Sequence, residues 1–250
     1  MKDGKIFRKI KKKLNSGKRL HFTLIDPDPK KVTVEDVKWK AKQAEKFGTD
    51  AIMIGGSTGI TRKYLDKIVK TVKSCSSLPT ILFPNGVDGV SKYADAIFFM
   101  SLLNSRDPFW ISYVQAMGSV DIKKAGLEVI PMGYLVVEPG MKVGKVGKVK
   151  LIKRNDIKDV MGFALAAEYM GMSLVYLEAG SGAHQPVPTK MVRKVKETIS
   201  VPLVVGGGIR EPEQALERIK AGADIIVTGT ITEQNFERMK EIIHIIKSFR

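Results

Sequence analysis

The chain has 250 residues, of which 44% are hydrophobic and 27% charged, and its formal net charge is +16. No apolar run approaches the roughly 18 residues that cross a bilayer, and the charged N-terminal stretch lacks the apolar core of a signal peptide. The one cysteine, Cys75, excludes an intrachain disulfide and suits a reducing compartment. We therefore predict a cytoplasmic protein.

Two segments carry much of the positive charge. Nine of the first 20 residues are Lys or Arg. The second basic run consists of Lys142, Lys145, Lys148, Lys150, Lys153 and Arg154. Such charge serves nucleic acid, an anionic membrane surface, a polyphosphate substrate, or solubility alone. Because no zinc-ligand spacing or RNA-binding aromatic pattern accompanies it, we predict no specific nucleic-acid partner, and peripheral contact with a membrane surface stays open.

Taken in chain order, the sequence begins with Ile6, Phe7, Ile10 and Leu14 at helical spacing, which predicts a basic N-terminal helix within 1–20. Short apolar runs then alternate with longer amphipathic stretches, as expected of parallel strands buried on both faces and the helices between them. The predicted strands are 21–25, 51–55, 80–84, 96–100, 128–137, 174–179, 202–206 and 224–229. The clearest predicted helices are 33–47, 212–221 and 234–247.

Eight strand–helix repeats without a linker favour one α/β domain over 1–250, a single (β/α)8 TIM barrel with an extra N-terminal helix. The segment 138–155 after strand five is too long for a tight connection and contains the second basic run. We interpret it as a basic loop that forms a lid or a wall of the substrate site, with a surface loop of no role as the alternative.

Glycine-rich loops follow the last two predicted strands. In barrels of this kind the active site lies at the carboxyl ends of the strands. Gly206, Gly207 and Gly208 end strand seven, and Gly229 and Thr230 end strand eight. Glycine lets backbone N–H groups approach an anion closely, and the helix that follows adds a favourable dipole. The two loops predict a phosphate site, and turn formation alone is the alternative.

Strand six supplies the candidate catalytic group. Tyr176 and Glu178 are two residues apart, so both face the barrel interior if either does. A carboxylate in that position can bind a substrate hydroxyl or take its proton. The alternative is a structural glutamate paired with a lysine. Gly180 and Gly182 would add backbone N–H groups toward the same phosphate.

A second polar pair follows the first two strands. Asp26 comes directly after strand one, and Ser57 lies in a Gly-Gly-Ser-Thr-Gly stretch after strand two. Mg²⁺ prefers a few carboxylate or hydroxyl oxygens and leaves its other positions to water and substrate phosphates. The pair predicts a Mg²⁺ site, with simple turns as the alternative. The histidines have no ligand spacing that would indicate zinc. They are His21, His184 and His244.

Several stretches resemble one known family in the same order along the chain. They are HFTLIDPD, DAIMIGGSTGIT, FFMSLLNSRDPFWI, VIPMGYLVVEPG, YLEAGSGAHQPVP and VVGGGIR. From about residue 21 onward the chain resembles the geranylgeranylglyceryl phosphate synthases, a prenyltransferase family that also includes bacterial heptaprenylglyceryl phosphate synthases. YLEAGSG combined with GGGIR is highly specific, and LLNSRDPFWI with MGYLVVEPG resembles the archaeal branch.

The resemblance implies an enzyme that joins sn-glycerol 1-phosphate to geranylgeranyl diphosphate, forms an ether bond of archaeal membrane lipids and releases diphosphate. It implies that Asp26 and Ser57 bind Mg²⁺, and that Glu178 orients the glycerol hydroxyl and accepts its proton. The residues implied to bind glycerol 1-phosphate are Tyr176, Leu177, Glu178, Ala179, Gly180, Ser181, Gly182, Gly206, Gly207, Gly229 and Thr230. Some relatives carry Asn at the position of Thr230. The resemblance also implies a homo-oligomer, either a dimer or a hexamer.

A C20 prenyl chain needs an apolar groove across the top of the barrel. The candidates from neighbouring strands are Phe99, Met100, Leu102, Met132, Tyr134 and Val136. Two other functions compete with the prenyltransferase. Another phosphate-binding barrel enzyme, such as a sugar-phosphate isomerase or an indole glycerol phosphate synthase relative, leaves the groove and the Asp26–Ser57 pair unexplained. A basic protein that binds nucleic acid or a membrane surface leaves YLEAGSG without a purpose.

Overall fold

Eight parallel strands close into a barrel in chain order, β1 next to β2 and β8 back to β1. The computed structural model describes residues 3–55, 60–231 and 235–249. The strands are β1 Leu20–Ile25, β2 Ala51–Gly55, β3 Thr80–Phe83, β4 Ala96–Leu102, β5 Glu128–Val136, β6 Leu174–Glu178, β7 Leu203–Gly206 and β8 Ile225–Thr228. Every strand end lies within two residues of its predicted position, which confirms the predicted TIM barrel.

Side chains alternate between the barrel interior and the layer beneath the helices. Phe22, Phe98 and Tyr176 belong to the interior core, whereas the neighbouring Ile97 and Val175 pack outward under helices. Both faces are therefore apolar, which is why these strands show no alternation of polar and apolar residues in the sequence. The same alternation aims Tyr176 and Glu178 inward, toward the top of the barrel.

Helices surround the barrel. They are α1 Lys5–Asn15, α2 Val34–Phe47, α3 Arg62–Cys75, α4 Val114–Ala125, α5 Met141–Val146, α6 Ile157–Tyr169, α7 Thr189–Thr198, α8 Pro212–Lys220 and α9 Phe236–Ser248. A π-helical turn, Phe109–Tyr113, runs directly into α4. The segment 138–155, expected to be a loop, contains the short helix α5. Within the described ranges, every helix is too short or too polar to cross a bilayer.

One strand–helix unit departs from the regular pattern. Between β3 and β4, the segment 84–95 forms turns and carries no helix. Pro84, Gly86 and Gly89 explain this, because proline and glycine are the two poorest helix formers. The outward side chains Leu82 and Ile97 of β3 and β4 are instead buried against Val90 of this segment and against α3 and α4.

Helix α1 closes the opposite, N-terminal end of the barrel. Ile6, Phe7 and Ile10 are buried against the interior core. The carboxylate of Glu128, the first residue of β5, accepts the backbone N–H groups of Ile6 and Phe7 at 2.7 Å each. A carboxylate at a helix N-terminus satisfies free N–H groups and complements the helix dipole. The lysines of α1 therefore lie at the end of the barrel away from the candidate site.

A buried polar cluster lies outside the barrel between β1 and β8. The ring of His21 lies 2.9 Å from the hydroxyls of both Thr49 and Thr228. Burial lowers the pKa of His21 from 6.5 to about 3, so the ring is neutral at physiological pH. The carboxylate of Asp50 accepts the backbone N–H of His21 and pairs with Lys247 of α9.

Candidate active site

The carboxyl ends of β6, β7 and β8 converge on a small cleft of about 40 Å³. Its walls combine backbone from three loops with few side chains. The lining residues are Leu24, Tyr176, Glu178, Ser181, Gly182, Gly207, Gly208, Ile209, Arg210, Val227, Thr228, Gly229 and Thr230. The predicted phosphate loops after strands seven and eight thus face each other across one space, together with the loop after strand six.

Glu178 is buried at the floor of this cleft. Its Oε1 accepts the backbone N–H of Gly180 at 2.6 Å, and its Oε2 accepts the hydroxyl of Tyr134 at 3.2 Å. The hydroxyl of Tyr176 also lies close to this carboxylate and favours its ionised form. Burial raises the pKa of Glu178 above its ordinary value, and these three donors partly offset the rise. In the described part of the chain these donors are two phenols and an amide, which disfavours a structural glutamate paired with a lysine.

Two glycines of β7 and its loop make the close packing around this carboxylate possible. A Cβ on Gly206 would collide with the Tyr176 hydroxyl, and one on Gly207 would collide with Oε1 of Glu178. Gly207 also has φ +78°, a left-handed conformation that favours glycine. The glycine run is therefore required by the carboxylate behind it as well as by any anion in front of it.

The residues predicted to bind glycerol 1-phosphate fall into three groups. Lining the cleft are Tyr176, Glu178, Ser181, Gly182, Gly207, Gly229 and Thr230. Behind it lie Gly180, whose N–H is used by Glu178, and Gly206, which packs on Tyr176. The side chains of Leu177 and Ala179 point the other way, into the core under the helices. The backbone N–H of Ala179 donates to Gly206, so neither side chain reaches the cleft.

Loops six and eight touch across the cleft. The hydroxyls of Ser181 and Thr230 lie 3.1 Å apart, within hydrogen-bond distance. The guanidinium Nη2 of Arg210 donates a hydrogen bond to the carbonyl oxygen of Gly182 at 2.9 Å. Loop six is thereby connected to both neighbouring phosphate loops.

A larger groove of about 360 Å³ begins at Glu178 and Ser181 and runs outward between the segment 84–90 and helix α4. Most of its walls are apolar. Its lining includes Leu24, Phe83, Pro84, Val87, Val90, Phe98, Phe99, Met100, Leu102, Trp110, Val114, Gly118, Ile122, Tyr134, Val143 and Val146. Of the predicted groove residues, Phe99, Met100, Leu102 and Tyr134 do line it. The other two, Met132 and Val136, are fully buried core side chains.

Asp26 lies on the wall of the groove, close to its junction with the cleft, where Leu24, Glu178 and Ser181 line both spaces. Its proposed partner Ser57 lies outside the described residues. One carboxylate at this junction fits Mg²⁺, which is commonly held by one or two carboxylates together with substrate phosphates. No group of three or more His, Cys, Asp or Glu side chains able to hold a metal occurs in the described ranges, so a cage made of protein ligands alone is not formed there.

Two polar contributions to the site are absent from the sequence-based predictions. Arg210 lines the cleft. In the sequence it is the last residue of the VVGGGIR stretch, and no binding role was predicted for it. The Tyr134 hydroxyl donates to Glu178, although Tyr134 was predicted only as a groove residue. The signal for Tyr134 is its period-2 spacing from Met132 and Val136 on the inward face of β5, but its partner on β6 becomes apparent only from the strand register Tyr134↔Tyr176.

Comparisons with known proteins place these features in a family. The sequence model of the PcrB family matches residues 11–247. Geranylgeranylglyceryl phosphate synthase of Pyrococcus abyssi is 56% identical over 93% of this chain and 92% of that protein. The enzyme of the same name from Pyrococcus furiosus is 57% identical over 93% of this chain and 92% of its own length.

Solved structures agree with the sequence comparison. (S)-3-O-geranylgeranylglyceryl phosphate synthase from Thermoplasma acidophilum, in complex with its substrate sn-glycerol-1-phosphate, superposes with a TM-score of 0.93 and 42% identity over 100% of both chains. Thiamine phosphate pyrophosphorylase from Pyrococcus furiosus, 18% identical with a TM-score of 0.59, shares the fold alone. The resemblance seen in the sequence is confirmed.

Proposed function

Because this chain belongs to the PcrB family, we propose that it is a prenyltransferase that joins sn-glycerol 1-phosphate to geranylgeranyl diphosphate. The product is the first ether of an archaeal membrane lipid, and diphosphate is released. The observation that carries the proposal is the meeting of an anion-sized cleft and a long apolar groove at the buried carboxylate of Glu178. A sugar-phosphate isomerase has no use for such a groove.

Glycerol 1-phosphate would bind with its phosphate between loops six, seven and eight. Ser181 and Thr230 offer hydroxyls, and Gly207 and Gly229 offer closely approachable backbone. The glycerol end would then point toward Glu178, inside the barrel. Fixing the phosphate at a set distance from the carboxylate is a contribution of position, which reduces the entropy lost on reaching the transition state.

The proposed reaction forms one carbon–oxygen bond and breaks another at C1 of the prenyl chain. The glycerol hydroxyl oxygen forms a bond to C1 of the prenyl chain, the bond from C1 to the diphosphate oxygen breaks, and the hydroxyl proton passes to Glu178. Diphosphate leaves with the electron pair of the broken bond. The raised pKa of Glu178 makes it a stronger base than an exposed glutamate, and Tyr134 and Tyr176 hold the carboxylate in place.

Asp26 would hold Mg²⁺, together with Ser57 and the diphosphate oxygens. A divalent cation there supplies charge neutralisation for the departing diphosphate. Lys31 and Lys142 line the same groove and add positive charge to it. The prenyl chain would lie along Phe83, Phe99 and the more distant Trp110.

We also propose a homo-oligomer and peripheral membrane contact. An exposed apolar stripe on the π-helical turn and α4 supports the oligomer, because exposed apolar patches mark protein interfaces. It consists of Phe109, Tyr113, Met117 and Val120. Lys142, Lys145 and Val146 of α5 are exposed, and Lys142 and Val146 line the groove. Lysines near an anionic bilayer attract it by about 1 kcal/mol each.

A direct assay tests the proposed function. The protein is incubated with Mg²⁺, sn-glycerol 1-phosphate and prenyl diphosphates of several lengths, and the products are identified by mass. We expect an ether-linked prenylglycerol phosphate, with the C20 donor preferred, and release of one diphosphate per product. Absence of any prenylated product with every donor would overturn the proposal, whereas a preference for another chain length would correct only the donor.

A further inference from the structure

We infer that Arg210 is a further substrate-binding residue, which supplies the positive charge for the phosphate in the cleft and ties that phosphate to the position of loop six. This inference rests on the proposed binding of glycerol 1-phosphate in the cleft between loops six, seven and eight. Three observations support it: the charges of the residues that line the cleft, the contacts of Arg210, and a comparison with two other arginines, Arg154 and Arg218, that also donate to carbonyls of loop six.

Without Arg210, the described residues that line the cleft would carry one negative charge, on Glu178, and no positive charge. Among the described residues that line it, Arg210 is the one with a positive charge, and Glu178 is the one with a carboxylate. A phosphate dianion placed near a buried carboxylate is repelled, and the repulsion is strong where water is scarce. Backbone N–H groups offer only partial charges, so one guanidinium beside the phosphate offsets the repulsion most directly.

The contacts of Arg210 leave its side chain able to do this. Its backbone N–H already donates to Oε1 of Gln214 at 2.8 Å, as part of the start of α8, and is therefore committed. Its Nη2 donates to the carbonyl of Gly182 at 2.9 Å. Guanidinium has five N–H donors in a fixed fork, so one contact to loop six leaves others for phosphate oxygens.

Two further arginines hold the same loop and provide a natural comparison. Arg154 donates Nη2 to the carbonyl of Pro186 at 2.9 Å, and Arg218 donates Nε to the carbonyl of Val187 at 3.1 Å. Neither Arg154 nor Arg218 lines the cleft. Loop six is therefore held at three carbonyls by three guanidinium groups, and only the group at Gly182 faces the phosphate site.

This arrangement couples binding to catalysis. Loop six begins with the Gly180 N–H that binds Glu178 and continues to the Gly182 carbonyl that accepts Arg210. A phosphate that engages Arg210 would fix Gly182, and through it the short backbone stretch that orients the carboxylate of Glu178. If the arginine only held the loop in place, its replacement would lower protein stability and leave the affinity for phosphate unchanged.

The test compares Arg210→Met and Arg210→Lys with the control variants Arg218→Met and Arg154→Met. Dissociation constants for inorganic phosphate and for sn-glycerol 1-phosphate are measured by calorimetry, and KM is measured for each substrate. Loss of a charged hydrogen-bond donor predicts about 10- to 100-fold weaker binding of both ligands to Arg210→Met. Arg210→Lys should fall in between, because it keeps the charge and loses the fork. The KM for the prenyl diphosphate should change less than about threefold, because that substrate binds in the groove, whose lining does not include Arg210.

The controls decide between charge and loop support. Arg218→Met should lower the melting temperature while leaving phosphate affinity within about twofold of the parent protein. Parent-like phosphate affinity in Arg210→Met, or an equal loss in Arg218→Met and Arg210→Met, would overturn the inference. Calorimetry with inorganic phosphate needs no turnover, so it judges Arg210 even if the parent protein forms no ether product and the proposed function fails.

Discussion

The hydroxyl of Tyr134 lies 3.2 Å from Oε2 of Glu178, and both side chains are buried. This bond links neighbouring strands β5 and β6 at the floor of the cleft, and it lowers the pKa of Glu178 against the opposing effect of burial. Tyr134→Phe removes the donor and keeps the ring. The pKa of Glu178 should therefore rise further, because the ionised form loses one of its stabilising contacts.

The rate should report this shift with a definite sign. If Glu178 is the proposed general base, its ionised form is the active one, and kcat/KM should fall as the pH drops below its pKa. In Tyr134→Phe that fall should begin at a higher pH than in the parent protein. The measurement is the pH profile of kcat/KM, with Tyr169→Phe, at an 80% exposed tyrosine, as the control. Superimposable profiles for Tyr134→Phe and the parent would show that Tyr134 does not tune this carboxylate.

Glu178→Gln separates binding from chemistry. It keeps an oxygen that can accept the Gly180 N–H and removes the charge and the basicity. If Glu178 is the general base, kcat should fall by about 10²- to 10⁴-fold, with little change in the affinity for glycerol 1-phosphate. Steady-state kinetics with a melting curve distinguish the alternatives. A change confined to KM would make Glu178 a binding group, and a change confined to the melting temperature would make it structural.

Asp26→Asn tests the metal assignment. Removing the Asp26 carboxylate from the groove wall should abolish most turnover while leaving the fold and glycerol 1-phosphate binding nearly intact. The readout is turnover as a function of Mg²⁺ concentration. Asp28→Asn is the matched control, because Asp28 accepts the backbone N–H of Lys30 and is absent from the groove lining. Near-normal turnover of Asp26→Asn at modest Mg²⁺ would remove Asp26 from the metal site.

The barrel geometry and the glycine-rich loops that end β7 and β8 could be predicted from the sequence because each depends on local pattern. Buried parallel strands read as short apolar runs, and the glycines of Gly206–Gly208 and Gly229 mark strand ends at which backbone must approach another group. The inward direction of Glu178 followed from its two-residue spacing from Tyr176. These signals need no knowledge of which residues far apart in the chain come together.

The groove and the contacts of Arg210 could not be predicted in this way because they depend on distant segments. Met132, Tyr134 and Val136 share the same period-2 spacing, yet only Tyr134 lines the groove, while Met132 and Val136 are fully buried core side chains. The groove itself exists because 84–95 carries no helix, so that residues of α4 form one of its walls. The bond from Arg210 to Gly182 joins residues 28 positions apart, through side-chain and carbonyl directions that no sequence period records.

Charge reversal in the two basic segments should affect membrane binding differently, because the segments lie at different ends of the barrel. Lys142→Glu with Lys145→Glu, at the groove, should weaken binding to vesicles that contain anionic lipid. Lys9→Glu with Lys12→Glu, on α1 at the far end, makes the same change in net charge and should leave vesicle binding nearly unchanged. Cosedimentation with anionic and neutral vesicles measures both. Equal losses for the two variants would indicate an effect of net charge alone.

Duplex DNA provides the competing partner for the same charge. We expect only weak, nonspecific binding that disappears by about 0.2 M salt, because contacts to phosphates release counterions and are salt-sensitive. A titration at several salt concentrations measures this. Tight binding with a sequence preference at physiological salt would show that the basic segments serve nucleic acid.

The buried His21 makes stability depend on pH in a predictable direction. Its pKa is about 3 in the folded chain against 6.5 ordinarily, so below about pH 6.5 the unfolded chain binds a proton that the folded chain does not. Stability contributed by the neutral ring is therefore present above pH 6.5 and is lost as the pH falls toward 3, by up to roughly 1.4 kcal/mol per pH unit.

His21→Gln removes the titration and keeps a side chain able to bond Thr49 and Thr228. Between about pH 7 and pH 5 the parent should lose roughly 2 kcal/mol more unfolding free energy than His21→Gln. Denaturant unfolding at each pH measures the difference, with the exposed His184→Gln as the control that should follow the parent. Parallel losses in the parent and in His21→Gln would mean that the ring gains its proton in the folded chain, and the hydrogen bonds to Thr49 and Thr228 would then have to rearrange around it.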